Sequence, residues 1–176
     1  AAADGSGGFA LTRGDKSSQD PRWSHDGLRL AFVSNRSGKD NLWLIRADGG
    51  EAEMLTDVPT GVNGFAWAPD GASIAFAMTD PPGEQEETDR KARDDARVVG
   101  EDLKMKHLWL VPLGPDGAGK GEPRRLTHGK FNVGTWDWFP DGRTIVFDHA
   151  PTSVADDWRL SDISVVELAS GAVRPF

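Results

Sequence analysis

Ser73 is the residue whose surroundings come nearest to those of a catalytic nucleophile, in the run Gly71-Ala72-Ser73-Ile74-Ala75. A nucleophile elbow needs Gly-x-Ser-x-Gly, because the strained strand-to-helix turn tolerates little side chain beside the serine. Alanine in the last position removes that signature. The four histidines, His25, His107, His128 and His149, include no pair at helical metal-ligand spacing, and no Gly-x-x-x-x-Gly-Lys loop is present to cradle a phosphate. With no cysteine in the chain, a thiolate nucleophile, a thiolate metal site and a disulfide framework are excluded. The sequence therefore predicts no catalytic residue, no metal site and no cofactor.

The Asp-Gly pairs at 26, 70 and 141 belong to a repeat. Trp23-Ser24-His25-Asp26-Gly27 aligns with Trp67-Ala68-Pro69-Asp70-Gly71 and Trp138-Phe139-Pro140-Asp141-Gly142. The same spacing carries Leu30 to Ile74 to Ile145, Phe32 to Phe76 to Phe147, and Leu11-Thr12 to Leu55-Thr56 to Leu126-Thr127. In this frame Ser73 stands where the other units have Arg29 and Thr144, which reads as an ordinary strand position. A further apolar block recurs as Asn41-Leu42-Trp43-Leu44-Ile45, His107-Leu108-Trp109-Leu110-Val111 and Asp162-Ile163-Ser164-Val165-Val166.

Each unit thus predicts four short strands. The first ends at the tryptophan, and Asp-Gly makes a tight hairpin because aspartate bonds its own backbone while glycine accepts positive φ. The second strand, as in Leu28 to Val33, is almost continuously apolar, which suits a sheet covered on both faces. The fold class predicted is all-β: about three four-stranded antiparallel β-propeller blades of a larger or incomplete propeller. Residues 1–8 read as a disordered tail, 9–20 as the last strand of a preceding blade, 21–57 as a blade, 64–128 as a second blade and 135–176 as a third. Three units are fewer than the ~4 to 8 that close a ring, so self-association through open blade faces is expected.

Two stretches interrupt the repeat. Residues 79–106 form a charged insertion, helix-compatible but without an apolar stripe, and predict a solvated arm. His149 to Ser161 is a shorter excursion whose Asp156-Asp157-Trp158-Arg159 is expected to pack over a blade edge.

The formal charge of −8 and pI near 4.9 oppose binding to nucleic acid, and no run approaches the ~18 apolar residues of a membrane span. The first residues carry no secretory signal pattern. Localisation stays open, with cytoplasm preferred to periplasm.

The words Pro21-Arg22-Trp23-Ser24 and Ala31-Phe32-Val33-Ser34-Asn35-Arg36-Ser37-Gly38 are shared with TolB-like and WD40-like propellers generally. Asp95-Ala96-Arg97-Val98-Val99 with Glu101-Asp102, and Asp157-Trp158-Arg159 before Ser161-Asp162-Ile163, make the chain resemble the N-terminal propeller of the prolyl oligopeptidase family of serine peptidases, in its acylaminoacyl and dipeptidyl peptidase branches. The resemblance implies a non-catalytic propeller that gates peptide access to a separate α/β-hydrolase domain. It also implies that a glutamate pair on a propeller insertion binds the free amine of a substrate. Glu86 and Glu87 are the comparable pair here, although the aromatic neighbours of that motif are lacking. The alternative is a TolB-like scaffold whose loops bind a protein partner.

Overall fold

The computed structural model describes residues 8–12, 15–92, 103–114 and 121–176. Among the described residues twelve strands form three four-stranded antiparallel sheets, each in simple meander order. Blade one holds β1 (Ser18–Trp23), β2 (Arg29–Ser34), β3 (Asn41–Arg46) and β4 (Glu53–Met54). Blade two holds β5 (Phe65–Trp67), β6 (Ser73–Thr79), β7 (Lys106–Pro112) and β8 (Arg124–Arg125), with the helix α1 (Glu84–Ala92) between its second and third strands. Blade three holds β9 (Asn132–Trp138), β10 (Thr144–Ala150), β11 (Asp162–Glu167) and β12 (Val173–Pro175), with a 3-10 turn, Ala155–Leu160, in the corresponding place. Among the described residues no helix is long and apolar enough to cross a membrane.

The recurring words have distinct physical jobs. In the first hairpin the Asp26 carboxylate accepts the Leu28 N–H at 2.9 Å and the Ser24 hydroxyl at 2.6 Å, while Gly27 takes φ 70°. Those bonds, the hydroxyl's foremost, hold the Asp26 carboxyl below its ordinary range. Asp70 and Asp141 accept the N–H groups of Ala72 and Arg143 in the same way. The Leu-Thr pairs extend an outermost strand that is only two residues long. Leu55 N–H donates to the Leu42 carbonyl at 2.8 Å, and Thr56 Oγ1 accepts the Leu42 N–H at 2.9 Å. Leu126 and Thr127 do the same to Leu108, at 2.8 and 2.9 Å. A threonine side chain thus completes the ladder where the backbone departs from it.

Cores form between blades. Ala31, Val33, Leu42 and Leu44 of blade one share a cluster with Phe65, Trp67, Ile74 and Phe76 of blade two. Ala75, Ala77, Leu108 and Leu110 of blade two share another with Ile145, Phe147 and Val166 of blade three. Leu30, Phe32 and Ile45, on the other face of blade one, are covered by Leu11, Trp43 and Ala52.

Three boundaries differ from the sequence reading. Ser18 to Asp20 belong to the inner strand of blade one instead of a preceding blade. A bulge between Gln19 and Arg22, with Asp20 at φ 50°, breaks the alternation that would reveal the strand. Blade three likewise starts at Asn132, and β6 and β7 take Thr79 and Lys106, so the insertion proper is 80–105. The tail expected over 1–8 lies, apart from Gly8, outside the described residues.

Candidate functional site

In a four-stranded meander the connections between second and third strands leave from the same end as those joining one blade to the next. The arm of blade two and the excursion of blade three therefore rise from one end of the arc. That end is where the structure concentrates its buried polar groups.

Asp80 begins the arm as β6 ends, and its N–H donates to the Met105 carbonyl at 2.8 Å, closing the arm at its root. Its carboxylate forms an ion pair with Arg125, in which Nη2 donates to Oδ2 at 3.1 Å and Nη1 lies 3.1 Å from Oδ1. Arg125 comes from β8, donates Nε to the Thr127 carbonyl at 2.7 Å and lies 5.9 Å from the Trp109 ring centre. The outer strand of the blade thus holds the arm's first residue.

Beneath this pair His107 is wholly buried, with Nδ1 3.1 Å from Thr127 Oγ1 and Nε2 3.8 Å from Asp80 Oδ2. Thr127 Oγ1 also accepts the Leu108 N–H, so one hydroxyl joins the ring to the strand beside it. Burial, helped by the Arg125 charge and opposed by Asp80, pushes the His107 pKa down to about 4. At neutral pH the ring is uncharged. Phe131, from the connection to blade three, meets His107 edge-on at 5.3 Å and His149 at 4.9 Å. Lys106 N–H donates to Asn132 Oδ1 at 2.8 Å, which ties the far root of the arm to blade three.

On the arm, Glu84, Glu86 and Glu87 occupy the first turn of α1, where carboxylates complement the helix dipole. Glu86 accepts the Gly83 N–H at 2.6 Å and forms an ion pair with Lys104, so it ties the helix back to the strand-proximal end of the arm. Its side chain is only 16% exposed, unlike the free arm expected from the sequence. Glu87 is half-buried beside it. The family-like residues 95–99 and 101–102 lie outside the described residues.

The second excursion departs from expectation. Trp158 does not pack on a blade edge and is 68% exposed. The 3-10 turn is closed by Thr152 to Asp157 and by Ser161 bonding the Trp158 carbonyl, which leaves the ring outside. His149 Nε2 is 3.0 Å from Ser164 Oγ, but Ser164 is 5% exposed inside β11, where the contact serves as a structural hydrogen bond. Ser73 opens β6, as a strand position should.

Of the residues singled out in the sequence, His107 and His149 are brought together around Phe131, whereas His25 and His128 are not part of that group. Asp80 and Arg125 carried no sequence signal, because the insertion puts 45 positions between them. Their only hint was adjacency to the repeat words, Asp80 after the second strand and Arg125 before Leu126-Thr127.

No family model matches the chain. By sequence it is 34% identical over 170 residues to the uncharacterized peptidase YuxL of Bacillus subtilis, a match covering 91% of this chain and 26% of that protein. It is 30% identical over 189 residues to dipeptidyl-peptidase 5 of Porphyromonas gingivalis, covering 96% of this chain and 28% of that one. The chain therefore spans about a quarter of the length of these relatives. Among solved structures it superposes on TolB from Acinetobacter baumannii with a TM-score of 0.53 at 18% identity, over 91% of this chain and 32% of that one. It superposes on the acylaminoacyl peptidase of Pyrococcus horikoshii with a TM-score of 0.55 at 15% identity, over 90% and 24%. The structural likenesses establish the fold and the sequence matches establish kinship with peptidases, so the chain is a peptidase relative whose blades agree with the propeller portion of a prolyl oligopeptidase-family (S9) peptidase.

Proposed function

We propose that this chain is the non-catalytic propeller of a serine peptidase and gates peptide access to a separate α/β-hydrolase domain. The observation that carries this reading is the peptidase kinship along nearly the whole chain, joined to three propeller blades among the described residues. The anchored arm at one end of the arc supplies a physical element for a gate. Asp80, Arg125 and Lys106 fix its roots, and Glu86 with Lys104 holds its helix. A positioned arm can exclude bulky substrates, whereas an unanchored one would move aside.

The test is made in the parent peptidase, by replacing residues 80–105 with a short turn of the kind that joins β2 to β3. Turnover of long peptides should rise relative to that of short ones. Unchanged size selection would sink the gating role. The isolated chain should hydrolyse neither peptides nor esters, and turnover abolished by a serine-directed inhibitor would overturn its non-catalytic assignment.

Glu86 and Glu87 are the carboxylates this proposal offers to a substrate amine. Lys104 competes with that amine for Glu86, so Lys104→Ala should lower KM for peptides with a free N-terminus while leaving blocked peptides unaffected. The alternative, a TolB-like binding scaffold, is supported by fold alone.

A further inference from the structure

We propose that the root of the arm is an acid-opened latch, in which protonation of His107 parts Asp80 from Arg125 and lets the arm leave the blades. The latch rests on the gating reading and supplies that gate with a regulator.

Among the described residues, two buried side-chain atoms without a hydrogen bond meet at this root, Asp80 Oδ1 and His107 Nε2. Oδ1 lies 3.1 Å from Arg125 Nη1, and Nε2 stops 3.8 Å from Asp80 Oδ2, too far for a hydrogen bond. A buried nitrogen left without a partner costs free energy that contact with water would return. Water is close by, since the ring has no exposed surface while the Asp80 and Arg125 side chains beside it are 28% and 25% exposed. Moving Asp80 off Arg125 therefore admits solvent to Nε2.

Blade one shows that the repeat does not require this arrangement. Asn41, at the position of His107, accepts the Thr56 hydroxyl and the Val58 N–H, each at 3.0 Å, and its Nδ2 donates to Ser37 Oγ at 3.2 Å. That side chain is satisfied and does not titrate, and the connection above it is a short turn. Beneath the arm the same position holds a side chain that can gain a charge.

The groups around the ring make acid the trigger. Asp80, at the end of β6, carries the carboxylate that faces it, and Arg125 of β8 already pairs with that carboxylate. Burial foremost, then the charge of Arg125 and that of His128 after β8, disfavour a proton on the ring, while Asp80 and a backbone hydrogen bond at Gly129 favour one. From blade three, His149 stands across Phe131 and adds no anion. The closed root thus keeps the ring neutral. An open root hydrates the ring, which then takes its proton at the ordinary pKa. The open state binds protons more readily than the closed one, so opening grows as pH falls from 6.5 towards 4.

Between pH 7 and pH 5 this linkage raises the opening equilibrium by about 20-fold. Hydrogen exchange resolved to single amides in the parent peptidase, corrected for the intrinsic effect of pH, reads it at two places. These are Asp80 N–H, bonded to the Met105 carbonyl, and Lys106 N–H, bonded to Asn132 Oδ1. The Leu42 N–H of blade one, bonded to Thr56 Oγ1, should keep its protection over the same range. His107→Asn should level the response at both root amides, and His107→Gln serves where the first variant does not fold. In the same proteins, turnover of long peptides relative to short ones should rise from pH 7 to pH 5 with His107 in place and stay level without it. Root opening that ignores pH, or that responds alike in the His107 variants, would overturn the latch. Acid opening of the root with unchanged size selection would uphold the latch and count against the gate.

Discussion

Blade two and blade three are built from the same repeat words yet live in different environments. Blade two is covered on both faces, and its Ile74, Ala75, Phe76 and Leu108 have no exposed surface. Blade three keeps one covered face, carrying Ile145, Phe147 and Val166, and one open face, where Ile163 is half exposed. The strands form equally well in both, since hairpin turns and ladders are local. What differs is how much each side chain contributes once folded, because a propeller blade gains most of its hydrophobic stabilisation from its neighbours.

The sharpest break of this comparison is a matched truncation. Leu108→Ala should cost about 2–5 kcal/mol, by lost transfer energy plus a cavity, whereas Ile163→Ala at the same repeat position should cost below about 1 kcal/mol. Urea denaturation of the two variants tests the ranking. Equal losses would mean that this face of blade three is covered in solution.

A second test separates blade two from blade one. His107 and Asn41 occupy one repeat position and both bond the Leu-Thr hydroxyl. Only the histidine titrates. Its folded-state pKa of about 4 lies below the ordinary 6.5, so the unfolded chain binds the proton more readily between those values. Stability from this group is complete above pH 6.5 and is lost as pH falls towards 4, by roughly 2–3 kcal/mol at the lower end. His107→Asn, which keeps an acceptor for Thr127, should flatten that part of the stability profile. An unchanged slope would place the titration elsewhere.

The smallest effect uses the tryptophan column. Trp67 Nε1 donates to the Arg22 carbonyl of blade one at 3.1 Å, a bond across the seam, whereas its repeat equivalent Trp23 is 54% exposed. Trp67→Phe should cost about 1 kcal/mol, and Trp23→Phe should stay within about 0.5 kcal/mol of the parent. Thermal melts of both variants decide it.

Much of this fold was legible because the repeat is written in residues with local jobs. Asp-Gly makes the first hairpin of each of the three blades, and Leu-Thr at 55–56 and 126–127 marks the end of an outer strand through one hydroxyl. The site was far less legible. Asp80 and Arg125 meet only because an insertion returns to its own root, and their pairing obeys no spacing rule. Trp158 resembled a packing residue, yet a 3-10 turn closed by its own polar side chains turned the ring outward. Glu86 read as part of a solvated run, and Lys104, eighteen residues on, took it into an ion pair.

The sequence by itself determined the strand content, the hairpin turns, the number of blades and the likeness to peptidase propellers, because each rests on short-range backbone preferences and on a period that repeats. Only the tertiary structure decided that Leu11 sits on blade one as Leu55 and Leu126 sit on theirs, that His107 is buried uncharged beneath an Asp80–Arg125 pair, and that the arm is anchored at both roots. Those outcomes depend on which faces are brought into contact and on how buried charges find partners. Burial and pairing are properties of the assembled blades, set by distances that no linear spacing encodes.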